Sequence, residues 1–132
     1  MSVYELHFSI WCIYIKENIP LKLSKEFAID IINLCNNATC NKRSDKLLDQ
    51  LLRSGTSFGA NIYEGNYASS KVNFINKFQI ALKKCFKTSY WLEFFTESNV
   101  INQENYELLS IKCNKIRIML SSSINTAKSN AK

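Results

Sequence analysis

Proline, glycine and histidine are scarce in this chain of 132 residues, which has one proline, three glycines and one histidine. So few turn-forming residues argue against an all-β sandwich, which needs a turn after every short strand. The lone His7 excludes a metal site built from several imidazoles. It also leaves a Cys–His nucleophile pair without a suitable base. We therefore expect no catalytic residues, no bound metal and no cofactor.

The cysteines have no recognisable pattern. There are five of them, an odd number, and no two have the C-x-x-C spacing. This fits neither a disulfide framework nor a zinc ribbon, and it favours reduced thiols in the cytoplasm. Cys35, Cys85 and Cys113 fall on apolar helical stripes and are expected in the core. Cys40 lies in a polar stretch and is the thiol expected to be exposed.

The N-terminal segment has an apolar run, Phe8 to Ile15, in a chain that is long enough for one domain. Eight residues are too few to span a bilayer, and no signal-peptide pattern surrounds them, so no membrane is expected as a partner. The run is compatible with a short strand or with an appendage that packs on a neighbour. A third alternative is that translation normally begins near Lys16.

The rest of the chain has helical periodicity. Ser24 is a plausible N-cap for a first helix, and Ser44 for a second that stops near Gly65. Ser69 or Ser70 would begin a third helix that runs to about Ser98. After a break over residues 99–102, a fourth stripe continues to Ile124. The stripe of the first helix comprises Phe27, Ala28, Ile31, Ile32, Leu34 and Cys35.

These segments predict an all-α protein, an antiparallel up-down four-helix bundle. The bundle is expected over residues 21–127. Residues 1–20 would form an N-terminal extension, disordered in part or a short strand, and residues 128–132 a frayed tail. In the second helix, Gly55 and Gly59 lie on one face. Each costs about 1 kcal/mol relative to Ala in a helix, so the pair indicates close packing of a partner backbone.

The segment from Leu52 to Glu64 reads L-R-S-G-T-S-F-G-A-N-I-Y-E. It resembles the signature of the four-helix bundle proteins known as 23S rRNA intervening-sequence proteins, usually close to R-S-G-T-S-I-G-A-N-I-x-E. The family's second block is matched by F-I-x-x-F, I-A-L-K and Y-W-L-E between residues 74 and 93. The resemblance runs from Lys16 to about Leu120. It departs at Phe58, where Ile is usual, and at Lys84 and Lys87, where Glu is frequent.

The resemblance implies a bundle that assembles into a homopentamer. Some relatives are encoded within rRNA intervening sequences. Another relative, the accessory protein of diversity-generating retroelements, binds a reverse transcriptase and is expected to bind nucleic acid through a basic surface. No member resembles an enzyme.

The positive charge is concentrated in the second half of the chain. Residues 1–66 have seven basic and seven acidic side chains, whereas residues 67–132 have ten and four. In a hairpin of the third and fourth helices, Lys84 would lie level with Arg117 and Glu97 level with Glu104. We expect electrostatic binding of RNA or DNA. The candidate residues are Lys77, Lys83, Lys84, Lys87, Lys112, Lys115 and Arg117.

The third helix also predicts a contact surface. Its core stripe is broadened by Phe86, Tyr90 and Phe94. At 100° per residue, its opposite face has Ile80 and Trp91 among lysines, so Trp91 either stacks on an unpaired base or is buried between subunits. The subunit contact is favoured. The residues expected at an oligomer interface or in helix packing are Arg53, Gly55, Gly59, Asn61, Glu64, Ile80 and Trp91.

The hydroxyl-rich second helix has a structural interpretation. Ser54 or Ser57 as a nucleophile would need an adjacent base, and none is identifiable. The hydroxyls are expected to bond back to helix carbonyls, and Arg53 and Glu64 to form charge-assisted hydrogen bonds. The leading hypothesis is a non-enzymatic homo-oligomer that presents a basic surface to RNA or DNA as an adaptor. The alternative is a protein-interaction scaffold, for example for a reverse transcriptase, with no direct nucleic-acid role.

Overall fold

The computed structural model describes residues 18–38 and 42–129. These residues form four helices: α1 (Ile19–Asn37), α2 (Lys42–Asn66), α3 (Lys71–Glu97) and α4 (Gln103–Ser129). All regular elements in these ranges are helical, which confirms the predicted four-helix bundle. The expectations for the apolar run from Phe8 to Ile15, for His7 and for Cys40 concern positions outside the described residues.

Each helix packs against the two beside it: α1 and α3 both contact α2 and α4. Neighbouring helices run antiparallel. Between α1 and α2, Ser24 lies opposite Gly59 and Ile31 lies opposite Gly55, so the numbering rises along one helix as it falls along the other. α3 and α4 are joined by residues 98–102, and Cys113 contacts Cys85 and Ser89, so residues at similar distances before and after the turn face each other.

The core lies along the common axis and receives large apolar side chains from every helix. Phe27 of α1 and Phe58 of α2 are fully buried, and their ring centroids are 5.3 Å apart. Cys85 and Cys113 are buried as predicted, and Cys35 is half-buried against the same core. In the predicted stripe of α1, the placement of Ile32 was wrong, because this side chain is 42% exposed.

The helix ends agree with the sequence at two of the three breaks between helices. Ser70 caps α3 by accepting from the Asn73 amide at 3.2 Å, and α2 ends one residue after Gly65. Residues 98–102 separate α3 from α4, and Asn99 adopts a left-handed φ of 63° there. The chain turns sharply at this point because the Val100 and Ile101 amides both donate to the Phe95 carbonyl.

The start of α1 differs from the prediction. Asn18 is the N-cap, and its side chain accepts from the Leu21 amide at 3.3 Å. Pro20 fits in the first turn because its missing amide would have no helical partner there. Ser24 is inside the helix, where its hydroxyl donates to the Leu21 carbonyl at 2.7 Å. The other ends also extend, with α2 beginning at Lys42, before Ser44, and α4 continuing to Ser129.

None of the four helices is both long enough and apolar enough to cross a membrane.

Candidate nucleic-acid interface

Three lysines of α3 form the basic centre of the candidate site. Lys83 and Lys87 are exposed and Lys84 is half-buried. The chain has no acidic residue between Glu64 and Glu93. Among the described residues, no carboxylate lies within salt-bridge distance of these three ammonium groups. Lys83, Lys84 and Lys87 are called the lysine face below.

The seven predicted nucleic-acid-binding residues do not share one surface. Lys77 pairs with Glu64 of α2, Nζ to Oε2 2.7 Å, and Lys112 pairs with Asp30 of α1, Nζ to Oδ2 2.6 Å. These ion pairs lie in two different seams of the bundle. Lys115 is exposed on α4. The predicted set therefore divides into the lysine face, two lysines that bridge helices, and two α4 residues, Lys115 and Arg117.

Arg117 is the α4 residue that joins the lysine face. Its guanidinium carbon lies 5.7 Å from the centroid of the Phe86 ring on α3, in cation–π contact. Phe86 is two positions beyond Lys84. This contact therefore agrees with the prediction that Lys84 and Arg117 lie at the same height along the hairpin of α3 and α4. The acidic block is at the other end of the hairpin, where Glu93, Glu97, Glu104 and Glu107 are all exposed.

Trp91 is placed differently from the prediction. Its indole is half-buried and packs on Phe95, with ring centroids 5.8 Å apart and planes 29° apart. The indole Nε1 is buried and has no hydrogen-bond partner within the part of the chain that the structure describes. Trp91 is therefore part of the packing inside the protomer and is not on the outer face. Ile80 is 40% exposed, so only Ile80 of the two retains the outward position.

The outer face of α3 has other aromatic residues instead. Phe86 is 55% exposed and Tyr90 58%, while Phe94 is 37% exposed. All three residues were predicted to broaden the core stripe of α3, and this prediction was wrong. On a 3.6-residue helix they lie more than 100° from the direction of Phe74 and Leu92, beyond the reach of the core. The angular positions of these residues follow from the sequence numbering alone and point away from the core. The core prediction relied instead on their apolar character.

The glycines of the family-like segment have a packing role inside the protomer. A Cβ on Gly55 would lie 3.0 Å from Ile31 Cγ1, and one on Gly59 would lie 2.9 Å from Ser24 Oγ. This confirms the close approach predicted from the spacing of the pair. Gly65 also permits contact, because a Cβ there would lie 2.8 Å from the Phe78 ring.

The polar residues of this segment are mostly bonded to their own helix. Ser54 is buried and donates to the Leu51 carbonyl at 3.2 Å, and Thr56 donates to the Leu52 carbonyl at 2.7 Å. The Asn61 amide donates to the Ser57 carbonyl at 3.1 Å. These bonds confirm the predicted back-bonding. Glu64 makes its charge-assisted bond with Lys77, while Arg53 is exposed on the outer side of α2.

A buried thiol pair lies behind the lysine face. The Cys113 thiol donates to the Cys85 carbonyl at 3.6 Å, and Ser89 Oγ is 3.7 Å from Cys113 Sγ. The hydrogen bond with Cys113, together with burial, raises the pKa of the Cys85 thiol above its ordinary range. In the described ranges no three His, Cys, Asp or Glu side chains are grouped to hold a metal ion.

The fold and the glycine-rich α2 segment define a class of compact helical bundle, and comparison with known proteins gives the family. The family model described as 23S rRNA-intervening sequence protein matches residues 16–122. The chain belongs to this family. No curated protein matches it in sequence.

A solved structure supports the assignment. It is a protein with unknown function from the S23 ribosomal protein family of Bacteroides thetaiotaomicron VPI-5482. It is similar to this chain with 40% sequence identity and a TM-score of 0.75. The match covers 80% of this chain and 98% of that one.

Proposed function

We propose that this protein is a non-enzymatic, homo-oligomeric bundle that binds RNA or DNA electrostatically through the lysine face, as an adaptor in the cytoplasm. The observation that carries the proposal is the set Lys83, Lys84 and Lys87, which has no carboxylate partner among the described residues. Arg117 adds a fourth positive charge across the α3–α4 seam. The family takes its name from intervening sequences of 23S rRNA, and an RNA partner agrees with that name.

Helix stability does not account for the lysine face. The helix dipole favours acidic residues near an N-terminus and basic ones near a C-terminus. α3 has no acidic residue in its first turn and no basic residue in its last. Its five lysines instead precede its two glutamates along the helix. A bound polyanion would stabilise the clustered lysines, which the helix dipole does not. Binding to phosphates releases counterions and is favourable wherever cations are clustered.

The test is the salt dependence of binding to a short structured RNA, measured by fluorescence anisotropy. Affinity should fall steeply from low to physiological salt. The triple substitution Lys83→Glu, Lys84→Glu and Lys87→Glu should abolish binding with the oligomer mass unchanged. The matched control changes Lys22, Lys25 and Lys46 to Glu. These lysines are exposed on α1 and α2, and their substitution changes the net charge equally.

The outcome that overturns the proposal is equal loss of binding in both triple variants, since that would reflect net charge and not a site. Affinity that does not weaken as salt rises would also exclude the electrostatic mechanism.

A second candidate function is a protein-interaction scaffold, for example for a reverse transcriptase, with no direct nucleic-acid role. It is favoured by the outer face of α4, where Ile111 is 67% exposed and Ile118 59%. The same face supports self-association, and the family resemblance gives five as the number of copies. Co-purification with a reverse transcriptase that survives the lysine triple substitution would favour the scaffold over the nucleic-acid adaptor.

A further inference from the structure

The most exposed aromatic rings of α3 lie beside Lys83 and Lys87, which have no carboxylate partner among the described residues. Phe86 follows Lys83 by three residues, and Tyr90 follows Lys87 by three. Residues three and four apart are neighbours on a helix surface, so these four side chains make one continuous outward strip. Lys83, Phe86, Lys87 and Tyr90 are called the mixed strip below. It offers ring faces and positive charge within the same few ångströms.

The two rings are held in place by the structure beneath them. Tyr90 meets the half-buried Trp91 edge-on, with centroids 5.0 Å apart and planes at 80°. Phe86 is in contact with the Arg117 guanidinium. Both rings nonetheless remain more than half exposed. They are therefore ordered before any ligand arrives, which lowers the entropy lost on binding.

We propose that the mixed strip binds unpaired nucleotides, with bases stacked on Phe86 and Tyr90 and phosphates beside Lys83 and Lys87. This inference rests on the proposed function and specifies its ligand as single-stranded RNA or DNA. Single strands present their base faces to solvent, whereas a duplex hides them within its own stack. Lysines alone would suit either ligand, so the exposed rings are what distinguish the two.

The charges around the mixed strip determine how long a stretch of the helix can bind a polyanion. No acidic residue lies between Glu64 and Glu93, so the strip itself repels no phosphate. Beyond Tyr90, the exposed Glu93 and Glu97 would repel one. From Lys83 to Tyr90 the helix rises roughly 10 Å, which accommodates about two or three nucleotides.

A protein partner fits the strip less well. An exposed aromatic strip on a helix is also typical of protein contacts. However, burial against an apolar protein surface would leave Lys83 and Lys87 desolvated without an anion. A second copy of this chain that presented its own α3 face would place lysine against lysine. The partner that matches both the charge and the exposed rings of the mixed strip is therefore a polyanion whose bases are accessible.

The experiment compares a labelled oligouridylate with an RNA duplex of equal length by fluorescence anisotropy at physiological salt. The wild-type protein should bind the single strand more tightly. The double substitution Phe86→Leu and Tyr90→Leu keeps apolar bulk and removes the rings, so single-strand affinity should fall by roughly tenfold or more. Duplex affinity should change little. Phe86→Trp and Tyr90→Trp should restore single-strand binding.

The matched control is Tyr63→Leu with Tyr67→Leu. These rings, one in the last turn of α2 and one just after it, are also four residues apart and exposed, with centroids 5.0 Å apart, but they flank Glu64 and lie outside the lysine face. This variant should bind like wild type. Ultraviolet cross-linking followed by mass spectrometry should place the bound strand on the peptide that contains Tyr90.

Results that differ from these expectations would overturn the inference in different ways. If the Phe86 and Tyr90 double variant binds the single strand like wild type while the lysine triple variant does not, the proposed function stands and stacking is wrong. If the wild-type protein binds duplex and single strand with equal affinity, the proposed function also stands and stacking is wrong. If the double variant loses its oligomer mass, the strip is a contact between copies. If the Phe86 and Tyr90 double variant and the lysine triple variant both still bind, the proposed function itself is wrong.

Discussion

The Ser24 side chain of α1 lies directly against Gly59 of α2. A Cβ on Gly59 would be 2.9 Å from Ser24 Oγ and 3.3 Å from Ser24 Cβ. Ser24 is buried, and its hydroxyl is committed to the Leu21 carbonyl at 2.7 Å. Because the side chain is buried and its hydroxyl is held by this bond, the absence of a side chain at residue 59 sets how closely α1 and α2 approach.

Substitution of this glycine should therefore destabilise the bundle in a way that depends on Ser24. Gly59→Ala gains about 1 kcal/mol of helix propensity, but the overpacked contact costs about 1–3 kcal/mol, so a net loss is expected. In a Ser24→Ala background the clash with Oγ is removed and the 3.3 Å contact with Cβ remains, so Gly59→Ala should cost less stability than it does beside Ser24. Urea unfolding of the four proteins would measure the coupling, and strictly additive changes would contradict it.

The basic residues should contribute unequally to nucleic-acid binding. Lys77 and Lys112 are paired with Glu64 and Asp30, whereas Lys83 and Lys87 have no carboxylate partner in the described chain. We expect Lys83→Ala and Lys87→Ala each to lower affinity several-fold and to reduce the salt slope by about one. Lys77→Ala and Lys112→Ala should change affinity little.

Anisotropy titrations at several salt concentrations would give both quantities for each variant. Equal losses at all four positions would mean that the ion pairs open on binding. The pairs are themselves half-exposed, so breaking either should cost less than about 1 kcal/mol of stability. Their loss therefore does not complicate the comparison.

The architecture could be predicted because its signals are local. Apolar stripes at helical spacing gave four helices, and the spacing of Gly55 and Gly59 indicated a close approach of another helix, which α1 provides through the Ile31 and Ser24 side chains. Hydroxyl back-bonding also follows from local geometry, since the acceptor is always one turn away.

The candidate site was only partly predictable because it depends on the register between helices. Whether Lys77 meets Glu64 is decided by the sliding of α3 along α2, which the sequence pattern does not specify. Aromatic residues added a second difficulty. Trp91 and Tyr90 are adjacent and both apolar in a simple pattern, yet one packs towards Phe95 and the other outward. A difference of 100° around the helix separates a core residue from a binding surface.

The buried thiols should be protected from alkylation. Cys85 and Cys113 have almost no exposed surface, and the hydrogen bond with Cys113 and burial raise the pKa of Cys85. Since the thiolate is the reactive form, Cys85 should stay unmodified by iodoacetamide at pH values where ordinary thiols react. Among the three described thiols, the half-buried Cys35 should be modified first. Peptide mass spectrometry would resolve the sites, and labelling in guanidinium provides the unfolded control. Native labelling of Cys85 as fast as Cys35 would contradict the burial.

The outer face of α4 is expected to hold the copies together. Ile111 and Ile118 are exposed two turns apart and are not part of the core, so Ile111→Gln with Ile118→Gln should leave the helical content unchanged. Burial of both side chains in an interface would be worth about 1.5–3 kcal/mol each, enough to convert the oligomer to smaller species when lost. Light scattering would measure the mass.

The control for assembly is Ile29→Gln with Val72→Gln, which removes equally exposed aliphatic residues from α1 and α3. This variant should keep the wild-type mass. Because an oligomer presents several lysine faces to one RNA, the α4 variant should also bind a long RNA more weakly than wild type. Its affinity for an oligonucleotide that fills a single site should not change. An α4 variant of wild-type mass would move the interface to another face, and a monomeric wild-type protein would exclude the pentamer.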